Sequence, residues 1–176
     1  ELEQALLDGQ VDLAVHSLKD MPSALPPGLT LSVTPRREDP RDAWIVGQGS
    51  CAERPEDLPE GAIVGTSSLR RQAQLLASRP DLKVIPLRGN VDTRLAKLER
   101  GVDGLNAIVL AAAGLKRLGL SERVTRYFPL DEMVPAVGQG ALAVEVRQGD
   151  QRILGALDHI HHRDTATAIC AERAFM

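Results

Sequence analysis

A length of 176 residues allows one large domain or two small ones, and a hydrophobic fraction of 43% is ample for a packed core. The net charge of −3 argues against general attraction to nucleic acid or to a membrane surface. Aromatic residues make up only 2% of the chain, so it lacks stacking platforms for single-stranded nucleic acid. No apolar stretch reaches the roughly 18 residues of a membrane span.

Two cysteines, Cys51 and Cys170, lie far apart, and no charged-then-apolar leader precedes the first predicted elements. This pattern predicts neither a disulfide framework nor secretion, and it favours the reducing cytoplasm. Both ends of the chain are helical in pattern, which predicts that the sequence is part of a longer one.

The spacing of apolar residues predicts alternating helices and strands, and this alternation is typical of an α/β fold. In chain order the pattern predicts a helix from Leu2, strands at 11–15, 29–33, 44–46 and 62–64, a helix at 69–78, a strand at 84–87 and a helix at 91–100. It then predicts a buried strand at 107–112, a short helix at 115–118, a strand at 141–146, and helical stretches at 153–160 and 166–175.

A candidate anion site follows the predicted strand at 62–64, where Thr66, Ser67 and Ser68 precede a helix whose first turn carries Arg70 and Arg71. The hydroxyl groups can cap the helix, and the free N–H groups of a helix start bind anions. Cations in the first turn oppose the helix dipole unless an anion is near. Capping alone is the alternative; the arginines favour a polyanionic ligand.

A second pair of arginines, Arg88 and Arg94, occupies the next strand exit and the next helix start. Ligands of open α/β sheets bind beyond the carboxyl ends of the strands, so the two turns are expected side by side around one ligand. The alternative is a pair of surface arginines neutralised by Asp92 or Glu99.

Lys19 and Asp20 lie where an early strand enters a turn closed by Pro22. A carboxylate there can hold pyrrole-like N–H donors or stabilise a cation, although a solvated charge pair is the plain alternative. His16 is interpreted as a hydrogen-bonded core residue. Three further histidines lack partners at metal-ligand spacing and are expected on the solvated surface: His159, His161 and His162.

Five motifs in order cover essentially the whole chain: VHSLKDMP, GTSSLRRQAQL, LRGNVDTRL, AAAGLKRLGL and PAVGQGALAVE. Together they resemble the porphobilinogen deaminase (hydroxymethylbilane synthase) family, cytoplasmic transferases of tetrapyrrole (porphyrin and heme) biosynthesis. The resemblance implies three α/β domains, the first two doubly wound like type II periplasmic binding proteins. It places residues 1–38 and 138–158 in domain 1, residues 39–137 in domain 2, and residues 159–176 at the start of an α+β domain 3.

The resemblance also implies an activity, in which four porphobilinogen molecules are joined head to tail with release of ammonia. The product grows on a dipyrromethane cofactor held by a cysteine. Asp20 would contact pyrrole N–H groups and stabilise cationic intermediates. The carboxylate side chains of cofactor and substrate would be bound by Lys19, Ser68, Arg70, Arg71, Arg88, Arg94 and, more weakly, Arg117. A monomer is expected, with no nucleic-acid or membrane partner and no metal.

The chain departs from the family pattern at both ends, because the first strand and helix and the Leu-Glu-Gly-Gly-Cys loop are missing. The attachment cysteine is therefore expected outside this chain, since neither Cys51 nor Cys170 occupies its place. The sequence is interpreted as the central portion of the enzyme. A non-catalytic, organic-anion binding module is the alternative function, and Asp20 argues against it because a carboxylate brings nothing to a pure anion receptor.

Overall fold

The computed structural model describes all 176 residues, which form two compact units: residues 1–40 with 136–176 (unit 1) and residues 41–135 (unit 2). The helices and strands of the first half are α1 (Leu2–Leu7), β1 (Ala14–Ser17), β2 (Leu29–Val33), β3 (Asp42–Val46), β4 (Ile63–Gly65), α2 (Leu69–Ser78), β5 (Lys83–Ile85) and α3 (Val91–Glu99). Those of the second half are β6 (Leu105–Ala111), α4 (Ala112–Arg117), β7 (Arg126–Tyr127), β8 (Leu142–Arg147), α5 (Gln151–Leu157) and α6 (Arg163–Ala174).

Unit 2 is built on a five-stranded mixed sheet in the order β5-β4-β6-β3-β7. Strands β5, β4 and β6 are parallel, and β3 runs antiparallel between β6 and β7. Because β3 is antiparallel, its first residue, Asp42, pairs with the last residue of β6, Ala111. The strand order therefore brings Asp42 to the edge where the parallel strands end.

Helices cover both faces of the unit 2 sheet. On one face Leu75 of α2 packs in a cluster with Trp44 and Val64, and on the other Leu95 of α3 packs with Ile108. Successive residues of the strands alternate between these two clusters, as the two-residue period of a strand requires. The predicted doubly wound α/β fold is confirmed in this unit.

Unit 1 contains a three-stranded antiparallel sheet in the order β1-β8-β2. Ile153 of α5 packs against Val144 and Val146, while Ile169 of α6 packs with Ala143 on the opposite face of β8. A register irregularity interrupts the pairing of β2 with β8 between Leu31 and Val33. The assignment of residues 159–176 to a third domain stays a prediction.

The first predicted strand was wrong in position. The alternation of Val11, Leu13 and Val15 predicted a strand at 11–15. In the structure β1 begins at Ala14, which is buried, whereas Val15 is 55% exposed. A slip of one residue exchanges the two faces of a strand, and the polar His16 lies on the inner face.

Other predicted boundaries differ by a few residues. The strand predicted at 107–112 begins at Leu105, and the helix predicted at 115–118 begins at Ala112. The two-residue strand β7 was not predicted, since a single edge pairing leaves almost no periodic signal. No helix is long and apolar enough to cross a membrane.

Two chain segments of unit 1, at residues 37–40 and 138–140, lie against each other. The backbone N–H of Glu38 donates to the carbonyl oxygen of Gly140 at 2.9 Å, and the side chain of Gln139 donates to that of Pro40 at 2.6 Å. Gly140 has φ +85°, and a Cβ there would lie 2.5 Å from the Glu38 carbonyl oxygen. Only glycine allows this close approach.

Candidate anion-binding site

The start of α2 has the capping geometry that the sequence predicts. The Oγ of Ser68 accepts a hydrogen bond from the backbone N–H of Arg71 at 3.4 Å. The Oγ1 of Thr66 accepts from the N–H of Ser68 at 3.1 Å, which fixes the chain as it leaves β4. These bonds hold the first turn of α2 in place at the end of the parallel strands.

The next turn, between β5 and α3, lies beside the first, as predicted. The N–H of Thr66 donates to the carbonyl oxygen of Ile85 at 3.0 Å, and the Oγ of Ser67 donates to that of Leu87 at 3.0 Å. Asn90 caps α3, because its Oδ1 accepts from the N–H of Thr93 at 2.8 Å. Two helix starts with their positive dipole ends are thus neighbours at one edge of the sheet.

Arg70 and Arg71 share one carboxylate, that of Asp42, which is fully buried. Arg71 donates to Asp42 Oδ1 from Nε at 3.0 Å and from Nη2 at 2.7 Å, and its Nη1 donates to the carbonyl oxygen of Val109 at 3.0 Å. Arg70 Nη2 donates to Asp42 Oδ2 at 2.7 Å. The sequence predicted a negative charge near these two cations. The side chain of Asp42 supplies it from inside the protein.

Positive charges from two neighbouring arginines act on Arg71, and its pKa lies below its usual value. Burial lowers the pKa of Arg71, the charge and hydrogen bonds of Asp42 raise it, and the charges of Arg70 and Arg94 lower it again. The charges of Arg70 and Arg94 thus both act on Arg71, and Asp42 supplies one negative charge between Arg70 and Arg71. The Nε of Arg70 is buried and has no acceptor.

Arg88 and Arg94 belong to the neighbouring turn, and Glu99 is not their partner. Arg88 is exposed, and the Nε of Arg94 donates to the carbonyl oxygen of Gly89 at 2.7 Å. Glu99 pairs instead with Arg123, at 2.6 Å. Arg117 is exposed at the last residue of α4, more than one turn away from the strand ends.

Lys19 and Asp20 lie in unit 1, on a 3-10 turn over Leu18–Asp20 that follows β1 directly. Leu18 anchors this turn: it is 2% exposed, and its N–H donates to the carbonyl oxygen of Ala141 at 3.0 Å. Both charged side chains are exposed. A rigid base under an exposed carboxylate gives it a fixed position, which a catalytic group needs.

Three of the four histidines have structural partners, and the fourth, His159, is exposed as expected. His16 Nε2 lies 2.9 Å from Oε2 of the buried Glu145, in agreement with its prediction as a hydrogen-bonded residue. His162 was expected on the solvated surface, but it caps α6 by accepting from the N–H of Thr165 at 3.2 Å. His161 likewise accepts from the N–H of Thr34, at 3.3 Å. No group of three His, Cys, Asp or Glu side chains could hold a metal ion.

Asp42 was missed in the sequence, although it left a signal. It opens the apolar strand Asp42–Val46, and a carboxylate on a buried strand requires a cationic or N–H partner. Its partners lie 28 and 29 residues further along the chain. Only the strand order shows that they meet.

Comparison of the chain with known proteins matches it to one protein family. The family model described as "Porphobilinogen deaminase, dipyromethane cofactor binding domain" matches residues 1–155. The chain belongs to the porphobilinogen deaminase family. The resemblance stated from the five motifs is thus confirmed, and the matched domain is the one that binds the dipyrromethane cofactor.

Relatives of this family match the entire chain. Porphobilinogen deaminase of Syntrophotalea carbinolica is 56% identical over 176 residues, and that of Desulforudis audaxviator is 57% identical over 176 residues. These residues amount to 54% and 55% of the two proteins, so the chain spans about half the length of the curated relatives it matches.

Solved periplasmic domains are similar at a lower level. The VFT2 domain of Bordetella pertussis BvgS has a TM-score of 0.48 and 18% identity, covering 97% of this chain and 71% of that one. The putative sulfonate-binding protein SsuA of Methylobacillus flagellatus has a TM-score of 0.49 and 16% identity, covering 98% of this chain and 51% of that one.

Proposed function

We propose that this chain is the anion-binding core of a hydroxymethylbilane synthase, which joins four porphobilinogen molecules head to tail and releases ammonia at each condensation. The observation that carries the proposal is the concentration of guanidinium groups at two adjacent helix starts in a chain of the porphobilinogen deaminase family. Porphobilinogen and the growing polypyrrole carry acetate and propionate groups, which are the anions that such donors bind.

In this proposal the residues of unit 2 bind and orient carboxylates. Arg70, Arg88 and Arg94 provide exposed or half-exposed donors, and Ser68 adds a hydroxyl at the start of α2. Arg71 is buried, so its proposed contribution is a fixed positive charge. Arg117 is the weakest candidate because of its distance along α4, and Lys19 would bind a carboxylate from unit 1.

The same donors fit the carboxylates of a dipyrromethane. The four arginines at the two helix starts and the acceptor-free Nε of Arg70 support a polycarboxylate as the ligand. When bound, this cofactor supplies the primer to which porphobilinogen is joined. Cys51 and Cys170 are exposed and free, and the location of the attachment cysteine outside this chain stays a prediction.

Asp20 is proposed as the catalytic group. Its exposed carboxylate would accept hydrogen bonds from pyrrole N–H groups and stabilise positive charge that develops on the substrate. The proposed setting is the cytoplasm, since two free thiols suit a reducing compartment, and the proposed form is a monomer without a nucleic-acid or membrane partner.

The test is an activity assay on the full-length protein that contains this chain. Porphobilinogen should be consumed, as followed with Ehrlich's reagent, and one ammonia should be released for each molecule consumed. Arg88→Ala and Arg94→Ala should raise KM, whereas Arg100→Ala, an exposed control at the opposite end of α3, should not. Absence of porphobilinogen consumption would refute the proposal.

A further inference from the structure

The two arginines at the start of α2 are held from more than one side. Arg70 Nη1 donates to the carbonyl oxygen of Val134 at 2.5 Å, in addition to the bond from Nη2 to Asp42. Gln74, one turn further along α2, binds both backbone groups of the same residue: its Oε1 accepts from the N–H of Val134 at 2.7 Å and its Nε2 donates to the carbonyl oxygen of Val134 at 3.1 Å. The guanidinium of Arg70 is therefore fixed on two independent supports.

The two supports have a common place in the chain. Asp42 is the second residue of unit 2, and Val134 is the second-last. The first turn of α2 thus ties together the points where the backbone enters and leaves this unit. A carboxylate at position 42 accordingly does more than neutralise charge, because it sets where the guanidinium groups lie relative to the whole unit.

Geometry separates the roles of the two arginines. Arg71 is 6% exposed and uses Nε, Nη1 and Nη2 on Asp42 and Val109, whereas the side chain of Arg70 is 24% exposed and keeps an acceptor-free Nε. The Asp42 carboxylate thus holds the guanidinium of Arg71 inside the core and orients the guanidinium of Arg70, which is partly exposed. Bidentate and shared arrangements of this kind fix guanidinium orientation more strongly than charge alone.

We propose that Asp42 is a positioning residue of the anion site: it holds Arg71 in the core as a fixed positive charge and orients Arg70, so that the site binds a carboxylate ligand more tightly than it would without Asp42. This inference rests on the proposed function, since it assumes that the ligand is a polycarboxylate. It also predicts a change in ligand affinity that is opposite to the change expected from charge alone. Removal of a negative charge beside an anion site should tighten binding by Coulomb's law, whereas removal of a positioning group should weaken it.

The experiment measures binding of propane-1,2,3-tricarboxylate to this 176-residue chain by calorimetry. Asp42→Asn keeps the side-chain shape and removes the charge, and we expect its Kd to be at least about tenfold higher than that of the unsubstituted chain. The matched control is Asp81→Asn, which breaks the Arg79–Asp81 pair, with Nε to Oδ1 and Nη2 to Oδ2 at 2.7 Å, at the far end of α2. This control should bind the tricarboxylate with unchanged affinity.

Equal or tighter binding by Asp42→Asn would overturn the positioning role, while binding by the unsubstituted chain would still support the proposed function. Absence of binding by the unsubstituted chain would instead refute the anion site on which the proposed function depends.

If Asp42→Asn does not fold, a second measurement, on the unsubstituted chain, tests the positioning role of Asp42. In ¹⁵N spectra, the Nε–H of Arg71 should give a slowly exchanging signal that persists when tricarboxylate is saturating, and the Nε–H of Arg70 should shift. Loss of the Arg71 signal on addition of the ligand would show that the ligand replaces Asp42, and it would overturn the proposal.

Discussion

At the scale of single residues, Asp20 separates a transferase from an anion receptor. The core of unit 1 fixes its backbone through the buried Leu18, whereas its carboxylate is exposed. A carboxylate in this position lowers the affinity of nearby cations for anions, so a receptor would not benefit from it. An enzyme whose reaction develops positive charge on the substrate would benefit from such a carboxylate.

We expect Asp20→Asn in the full-length protein to keep the hydrogen-bonding shape and to lose charge stabilisation. Turnover should fall about a hundredfold or more, with KM for porphobilinogen nearly unchanged. Steady-state kinetics measures both values, and Asp8→Asn, an exposed carboxylate of the same unit, is the control. Normal turnover in Asp20→Asn would remove Asp20 from the mechanism.

At the scale of elements, the geometry of the site depends on two tight strand-to-helix turns. Gly89 connects β5 to α3 with φ +119°, and a Cβ there would lie 2.8 Å from Cγ2 of Thr93. The glycine thus permits both the backbone conformation and the close packing of the helix start. Arg88 and Asn90 flank it, so a shift of this turn would displace an arginine and a helix cap together.

Gly89→Ala should destabilise the chain by about 2–4 kcal/mol, because it combines backbone strain with a steric clash. The matched control is Gly101→Ala, at φ +60° with nothing within 4 Å of a Cβ, which should cost about 1 kcal/mol. Urea unfolding measures both free energies. Equal losses in the two variants would show that packing against Thr93 contributes nothing.

At the scale of the whole molecule, acid stability depends on carboxylates that bind cations and N–H groups. Burial raises the pKa of Glu172, but hydrogen bonds from Arg37 and from the N–H of Gly138, together with the charge of Arg37, lower it further than burial raises it. Arg37 Nη2 donates to Glu172 Oε2 at 3.1 Å, and Gly138 donates at 2.8 Å. Glu172 thereby fastens α6 to two chain segments of unit 1.

A folded-state pKa below the unfolded value stabilises the protein above the unfolded pKa, about 4.3 for glutamate, and this contribution is lost as the pH falls through the folded value. The free energy of unfolding should therefore be lower in Glu172→Gln than in the unsubstituted chain at pH 7, and this difference should shrink as the pH falls below about 4.3. Glu3→Gln is the control. A difference that is constant from pH 7 to 3 would contradict the assigned role.

Hydrogen bonds from Arg79 lower the pKa of Asp81, and the hydrogen bond from the N–H of Ile153 lowers that of Asp150. Like Glu172, these two carboxylates therefore stabilise the folded state at neutral pH and lose that contribution in acid. The chain should consequently lose stability in acid at several separate places.

By itself, the sequence determined the α/β class, the capped start of α2 and the four arginines at two helix starts. These follow from local rules, since periodicity, capping hydroxyls and glycine positions depend on residues that are close along the chain. The motif order also determined the family. Site residues remain predictions, because no ligand contact tests them.

Only the tertiary structure decided how the charges are partnered. The antiparallel course of β3 brings Asp42 to the strand ends, where it meets arginines 28 and 29 residues away, and no local pattern encodes that meeting. The inner face of β1 is likewise set by the pairing of His16 with Glu145, 129 residues apart, against the apolar alternation of Val11, Leu13 and Val15. Hydrophobic periodicity predicts which residues of one element are buried. The partner of a buried charge depends instead on the order of the strands in the sheet.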